Sequence, residues 1–419
     1  MMHGTPPEAT VMAPAAKRMA FIVEIARRLH QYGTSAPRLE DAIDAVSARL
    51  RLNCHSLSTP TSILFSFTDR ASGDDALAEL TQVIRVSPGQ DDLRNLSAVN
   101  EIADHVTDGV IDIDEGFRLL HAIRDRPGPR RTLLETLAHG MAAASVAAIL
   151  HCAWADLATA FVIGTIVGAL ASACERRPRL RPSLEALSAL LATMIATVVD
   201  VFVVPLTLSS VVLASLIVLL PGLSLTTAVR ELSTQHLVSG VARFGGAVTT
   251  LIKLAFGTVV ANQICQWLLL TPVPPPAAPI PAWAQWIALL FACYSFAVLF
   301  RSSRRDVPLV MAAAALGYLI TYYTGREFTP QFGVFLAGLG MGALSNLYAH
   351  VTRRPGALVR TPGIVLLVPG SIGFLSLSQI VQHDVFLGIN TAVTLIGILF
   401  SLVAGLLFGD LFVSSRRVL

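Results

Sequence analysis

Charge is scarce in this 419-residue chain: Asp, Glu, Lys and Arg make up 14%, while 53% of residues are hydrophobic. An ordinary soluble domain carries roughly 25% charged residues, so most of the chain is not built for water. Paired cysteines are also missing. Cys54, Cys152, Cys174, Cys265 and Cys293 share no spacing that marks a disulfide framework or a metal site, and neither metal nor cofactor is expected. Residues Met1 to Ala16 lack the apolar core and cleavage pattern of a signal peptide, and the next stretch, Phe21 to Leu29, contains Glu24, Arg27 and Arg28. A net charge of +3 is no nucleic-acid footprint, because the arginines sit in short loops between apolar runs.

What is present divides the chain at about residue 130. Before it the charges are dense and the apolar runs short; after Leu133 long apolar stretches alternate with brief polar links. The expected organisation is a disordered tail (1–16), a cytoplasmic α+β domain (17–130), a first five-span repeat (131–270), a proline-rich external linker (271–282) and a second five-span repeat (283–419). A span needs about 20 mostly apolar residues. Ten candidates follow: Leu133–Cys152, Leu157–Cys174, Leu184–Val204, Leu206–Leu220, Gly245–Leu270, Trp283–Phe300, Val307–Tyr323, Phe332–His350, Ala357–Ile380 and Val385–Val413. The division between Leu184 and Leu220 rests on Pro205 alone.

Arginine placement supplies an orientation. With the N-terminus inside, inside links hold Arg124, Arg126, Arg130 and Arg131, then Arg176, Arg177, Arg179 and Arg181, then Arg301, Arg304 and Arg305, then Arg353, Arg354 and Arg360, then Arg416 and Arg417; outside links hold only Arg326. Cytoplasmic loops collect Lys and Arg, so both termini are expected in the cytoplasm. Five spans on each side of the linker, an odd number, make the expected repeats inverted.

In each half the fourth span is interrupted by Pro-Gly, at Pro221-Gly222 and Pro369-Gly370. Proline lacks the N–H that a helix needs and glycine tolerates the freed backbone. Matched broken helices point to a transport site near mid-membrane. Ser224 and Ser371 are expected to cap the restarted helices, whose free N–H groups attract a carboxylate. Thr226, Thr227, Gly373, Ser376 and Ser378 complete a site for a small anionic or zwitterionic solute. Candidate coupling or gating residues are Arg230, Glu231, Arg243, Lys253 and Asp200, with Asp410 a further carboxylate. Lys253, at roughly 12 Å depth by helical rise, is expected to snorkel or to meet Asp200 or Glu231. Small residues at Gly164 to Gly168, Gly338 to Gly342, Gly388, Gly397, Gly405 and Gly409 are expected to serve close helix packing.

The block from Pro221 to Leu232, continuing through His236-Leu-Val-Ser-Gly-Val-Ala-Arg243, resembles the signature of the threonine/serine exporter family, as do Thr361 to Ser371 and, at the N-terminus, Arg28 to Gly33 with Pro37 to Glu40. The resemblance implies a bacterial inner-membrane secondary exporter of small hydroxy amino acids, driven by a proton gradient or membrane potential, with ten spans. Relatives split into two proteins are linked to dicarboxylate export, which makes a succinate-like cargo the alternative. Thr227 stands where the family's block often has Asn, and Gln235-His236 where Gly-Asp is more usual; these departures bear on cargo. The expected partners are threonine, serine or a small carboxylate, membrane lipid, and a further copy of the chain in a homo-oligomer.

Within the N-terminal region, helices are expected over Lys17–Tyr32, from Pro37 to about Leu52, near Asp91–His105 and over Asp112–Arg124, with strands at Cys54–Ser58, Thr61–Phe67 and Leu80–Val86. Cys54-His55-Ser56 suggests a nucleophile and base, but adjacent strand residues point to opposite faces. A gate over the cytoplasmic mouth is the stronger expectation, with a channel and a membrane enzyme as rival readings.

Overall fold

The computed structural model describes residues 14–69, 80–123, 128–270, 279–382 and 384–414. The first helix, α1 (Ala15–Gln31), starts inside the stretch expected to be a disordered tail and buries Phe21, Ile22, Ile25, Ala26 and Leu29 along one face. It ends at Gly33, whose φ of +90° suits only glycine. Helix α2 (Ala36–Arg49) opens with proline in its first turn. Three antiparallel strands follow in the order β1 (Leu52–Thr59), β2 (Ser62–Asp69) and β3 (Leu80–Arg85). Central β2 buries Ile63, Phe65 and Phe67 on one face, the period of two that a half-covered sheet requires. Helices α3 (Leu93–Thr107) and α4 (Ile113–Ala122) are capped by Asp92 and Asp112, whose carboxylates accept from the N–H groups of Asn95 and Glu115.

The rest of the chain is helical: α5 (Pro129–Ile149), α6 (Trp154–Arg176), α7 (Leu184–Phe202), α8 (Leu208–Ser215), α9 (Gly222–Ser233), α10 (Leu237–Trp267), α11 (Ala282–Leu299), α12 (Val307–Glu327), α13 (Pro330–Thr352), α14 (Ala357–Val365), α15 (Gly370–Val381) and α16 (Val385–Phe412). Among the described residues nine helices are long and apolar enough to cross a membrane, or ten if the bent pair of α8 and the segment Ile217–Ser233 is one span. The protein is thus mostly helical and multi-pass, with a small N-terminal α+β region. Helix α10 begins at Leu237 rather than Gly245, so Arg243 lies within it instead of opening it. The expected linker falls mainly on residues outside those described.

Helix neighbours recur between the halves. α7 packs on α10 as α13 packs on α16; α9 lies along α10 as α15 lies along α16; α6 meets α8 as α12 meets α14. The halves cross where α10 contacts α15 and α9 contacts α16. Glycines allow the tightest approaches: Gly338 and Gly342 face the carbonyls of Leu402 and Leu406, while Gly405 and Gly409 face those of Phe335 and Leu339. Gly164 and Gly168 sit against α5 and Gly388 against α15, but Gly340 and Gly397 have no close backbone neighbour.

The N-terminal domain does not hang on a tether. Its core runs on into Phe296, Phe300, Val310 and Leu358 of the membrane helices, and the Leu93 N–H donates to the Phe300 carbonyl at 2.9 Å.

Candidate functional site

Both breaks adopt one backbone geometry. Pro221 has φ −81° and ψ 40°, Pro369 φ −84° and ψ 40°. The Gly222 N–H donates to the Leu220 carbonyl and the Gly370 N–H to that of Val368, each at 2.9 Å. These are three-residue inverse γ-turns, whose central φ suits the restricted proline ring. The turns lie back to back: a Cβ on Gly222 would stand 3.1 Å from the Gly370 nitrogen, and one on Gly370 would stand 3.1 Å from both the nitrogen and the Cα of Gly222. A side chain at either point forces its neighbours to shift. The first broken span bends by 53°, whereas α14 and α15 pass together as one span.

Neither restarted helix has a side-chain cap, contrary to the expectation for Ser224 and Ser371. The γ-turn starts each helix at its glycine, which places Ser224 at the third helical position and Ser371 at the second, past the capping position. Both serines instead line a cavity of 480 Å³ together with Leu220, Pro221, Gly222, Gly370 and Thr250. First-turn N–H groups and hydroxyls there offer a place for a carboxylate.

Charged residues ring the same cavity. The Arg301 guanidinium donates to both Glu135 oxygens at 3.1 and 3.4 Å and to Glu175 at 3.3 Å, and lies 3.9 Å from Asp92 of the N-terminal domain. Arg131 adds a bond to Glu135 at 3.2 Å. In the sequence Arg301 reads only as a loop charge, and no motif singles out Glu135. An acidic residue one turn beyond Arg131, inside an apolar run, was the available signal.

Thr226, Thr227 and Arg230 face a different space, a 170 Å³ pocket between α9, α14 and the N-terminal domain. Gly373 packs on Leu251 and Leu395; Ser376 donates to the Gly388 carbonyl and Ser378 accepts from Gln382. The expected single site is therefore divided among a cavity, a pocket and a packed helix face.

The coupling candidates are all engaged. Glu231, 1% exposed, accepts from Arg243 Nε and Nη2 at 3.1 and 3.2 Å, from Ser239 at 2.9 Å, and from the Ala36 N–H of the N-terminal domain at 3.1 Å. It thus holds the first residue of α2 from α9. Beside it, His236 meets Glu40 at 3.2 Å. Burial pushes the Glu40 carboxyl above its ordinary range despite that contact. Asp410 bonds Arg230 and Arg360 at 2.6 Å each and Asn346 at 2.8 Å. Of the two expected outcomes, Lys253 does not meet Asp200 or Glu231 but reaches the link before α7 at the Pro182 carbonyl (2.9 Å) and Glu185 in the first turn of α7 (3.5 Å). Asp200 accepts from the Leu206 N–H at 2.7 Å, tying the connector around Pro205.

In the N-terminal domain Cys54 is buried and His55 exposed on opposite faces of β1. Burial raises the Cys54 thiol to about 12, opposite to what a nucleophile needs.

A family model described as "Putative threonine/serine exporter" matches residues 20–265, and a second, described as a threonine/serine exporter, matches residues 285–412. Curated relatives include pheromone-regulated membrane protein 10 of Zygosaccharomyces rouxii, 24% identical over 86% of this chain and 37% of that protein. The protein of that name from Saccharomyces cerevisiae is 23% identical over 92% of this chain and 49% of its own length, and that from Eremothecium gossypii 23% identical over 91% and 52%. The chain therefore spans about a third to a half of these fungal proteins. No solved structure matches it.

Proposed function

The chain belongs to the threonine/serine exporter family, and we propose that it is a secondary active exporter of threonine and serine across a bacterial inner membrane, with both termini in the cytoplasm. The observation that carries this reading is the pair of γ-turned breaks meeting back to back beside one 480 Å³ cavity. A small zwitterion would set its carboxylate at the first-turn N–H groups and its side-chain hydroxyl against Ser224 or Ser371. Pro221, Gly222, Pro369 and Gly370 would keep the breaks open, and Glu135 and Glu175 at the rim would attract the ammonium group. The matched helix pairings of the two halves support an inverted repeat, in which the halves rock about the breaks. Proton gradient or membrane potential would drive the cycle. We assign Arg230 with Asp410, and Glu231 with Arg243, as gating pairs, since each joins α9 to a second helix.

Counterflow in proteoliposomes tests the carrier reading. Preloaded threonine should accelerate uptake of labelled threonine, with Ser224→Ala, Ser371→Ala raising the apparent KM about tenfold, the worth of a hydrogen bond or two. Uptake without acceleration would make the protein a pore, and preference for succinate would change the cargo.

A further inference from the structure

We propose that the 170 Å³ pocket between the N-terminal domain and helices α9 and α14 is a second ligand site, which takes a free zwitterionic α-amino acid and so tells the transport helix that cargo is abundant. It adjoins the cavity at the breaks across Asp91 and Leu223, which line both, and needs no flux through it. Its volume is well above the ~10–15 Å³ that one water requires.

Three residues in its wall carry a buried polar atom without a partner: Thr34, Thr226 and Arg360. Arg360, 5% exposed, donates from Nε to Ser345 and from Nη2 to Asn346 and Asp410, but its Nη1 meets nothing. Thr226, 2% exposed, has no partner for its hydroxyl. Buried polar atoms in native proteins are nearly always bonded. Two hydroxyls and a guanidinium edge without partners in one pocket's wall are what an incoming carboxylate would complete.

The charges around them specify the ligand further. Arg38 of α2 and Arg230 of α9 both act electrostatically on Arg360, and the three guanidiniums share Asp410. That end of the pocket favours a carboxylate. Asp41 and Asp91 line it from the N-terminal domain, where they would attract an ammonium group and repel a second anionic group. A dicarboxylate or a phosphate is disfavoured for the same reason. Because the walls come from the N-terminal domain, α9 and α14, a ligand bound across them pins the domain to the broken helix.

Hydrogen–deuterium exchange on the full-length protein in lipid nanodiscs localises the event. Threonine should slow exchange in residues 33–42 and 356–364, and succinate and inorganic phosphate should not. Thr226→Val and Arg38→Gln should each weaken the threonine effect about tenfold, with Thr226→Val melting no lower than the parent because its hydroxyl has no bond to lose. No slowing, equal slowing by succinate or phosphate, or slowing that survives both substitutions would overturn the proposal. Counterflow is scored separately, so loss of the transport reading and loss of this one are distinguishable.

Discussion

Helices α9 and α15 begin alike and end differently. Each starts at a glycine behind a γ-turned proline, with φ and ψ matching within a few degrees. Aligned on those glycines, Arg230 stands where α15 has Ser378, and Glu231 where it has Gln379. The ends of α9 reach Asp410, Arg243 and the backbone of α2, while the Gln379 side chain accepts from Thr391 of the next helix in the same half. A shared start follows from shared backbone chemistry; the divergent ends show which half-helix the N-terminal domain can act upon. The N-terminal domain is bonded to α9 through the Ala36 N–H and Glu231.

The comparison breaks most severely at Glu231. Glu231→Ala leaves Arg243 without its carboxylate and α2 without its first acceptor, which costs about 3–5 kcal/mol for a buried pair losing one partner. Thermal melting in detergent should fall accordingly, and exchange at the start of α2 should rise; Gln379→Ala should leave both near parental values. Equal losses from the two substitutions would remove the asymmetry.

A smaller effect is expected where the helices are alike. Gly222→Ala and Gly370→Ala each push a methyl against the opposite break, an overpacking worth about 1–3 kcal/mol. Both should lower the melting temperature by similar amounts and depress counterflow together. If only one matters, the breaks do not act as a pair.

The smallest effect lies in acid. Burial raises the Asp91 carboxyl to about 6 although Arg243 opposes this. A carboxyl whose folded pKa lies above its unfolded value of 3.8 favours the folded state most when protonated. Its contribution is complete below pH 4 and is lost as pH rises through 6. Asp91→Asn should flatten melting temperature against pH over that window, by about 1–2 kcal/mol after allowing for partial exposure. A profile unchanged by the substitution would put the carboxyl in an ordinary, solvated state.

Much of the fold is legible in the sequence. Apolar run length located the spans, and the strand-like run Thr61–Phe67 located the central strand. The breaks at Pro221 and Pro369 followed from a missing N–H. The candidate site was legible only in part. Ser224 and Ser371 belong to one cavity, yet not as caps, because helix starts depend on turn geometry that serine position does not reveal. Arg360 looked like a loop arginine; its position inside the span from Ala357 was the clue that it needed a buried partner.

By itself the sequence determined which stretches are long and apolar enough to cross lipid, where two of them break, and which stretches are dense in charge, since those follow from local hydrophobicity and from single residues that cannot continue a helix. Tertiary structure decided which charges meet. Glu231 holds the Ala36 N–H across 195 positions and Arg230 holds Asp410 across 180. No periodicity or spacing encodes such pairs, because a buried charge is satisfied by whatever partner the packed helices bring to it.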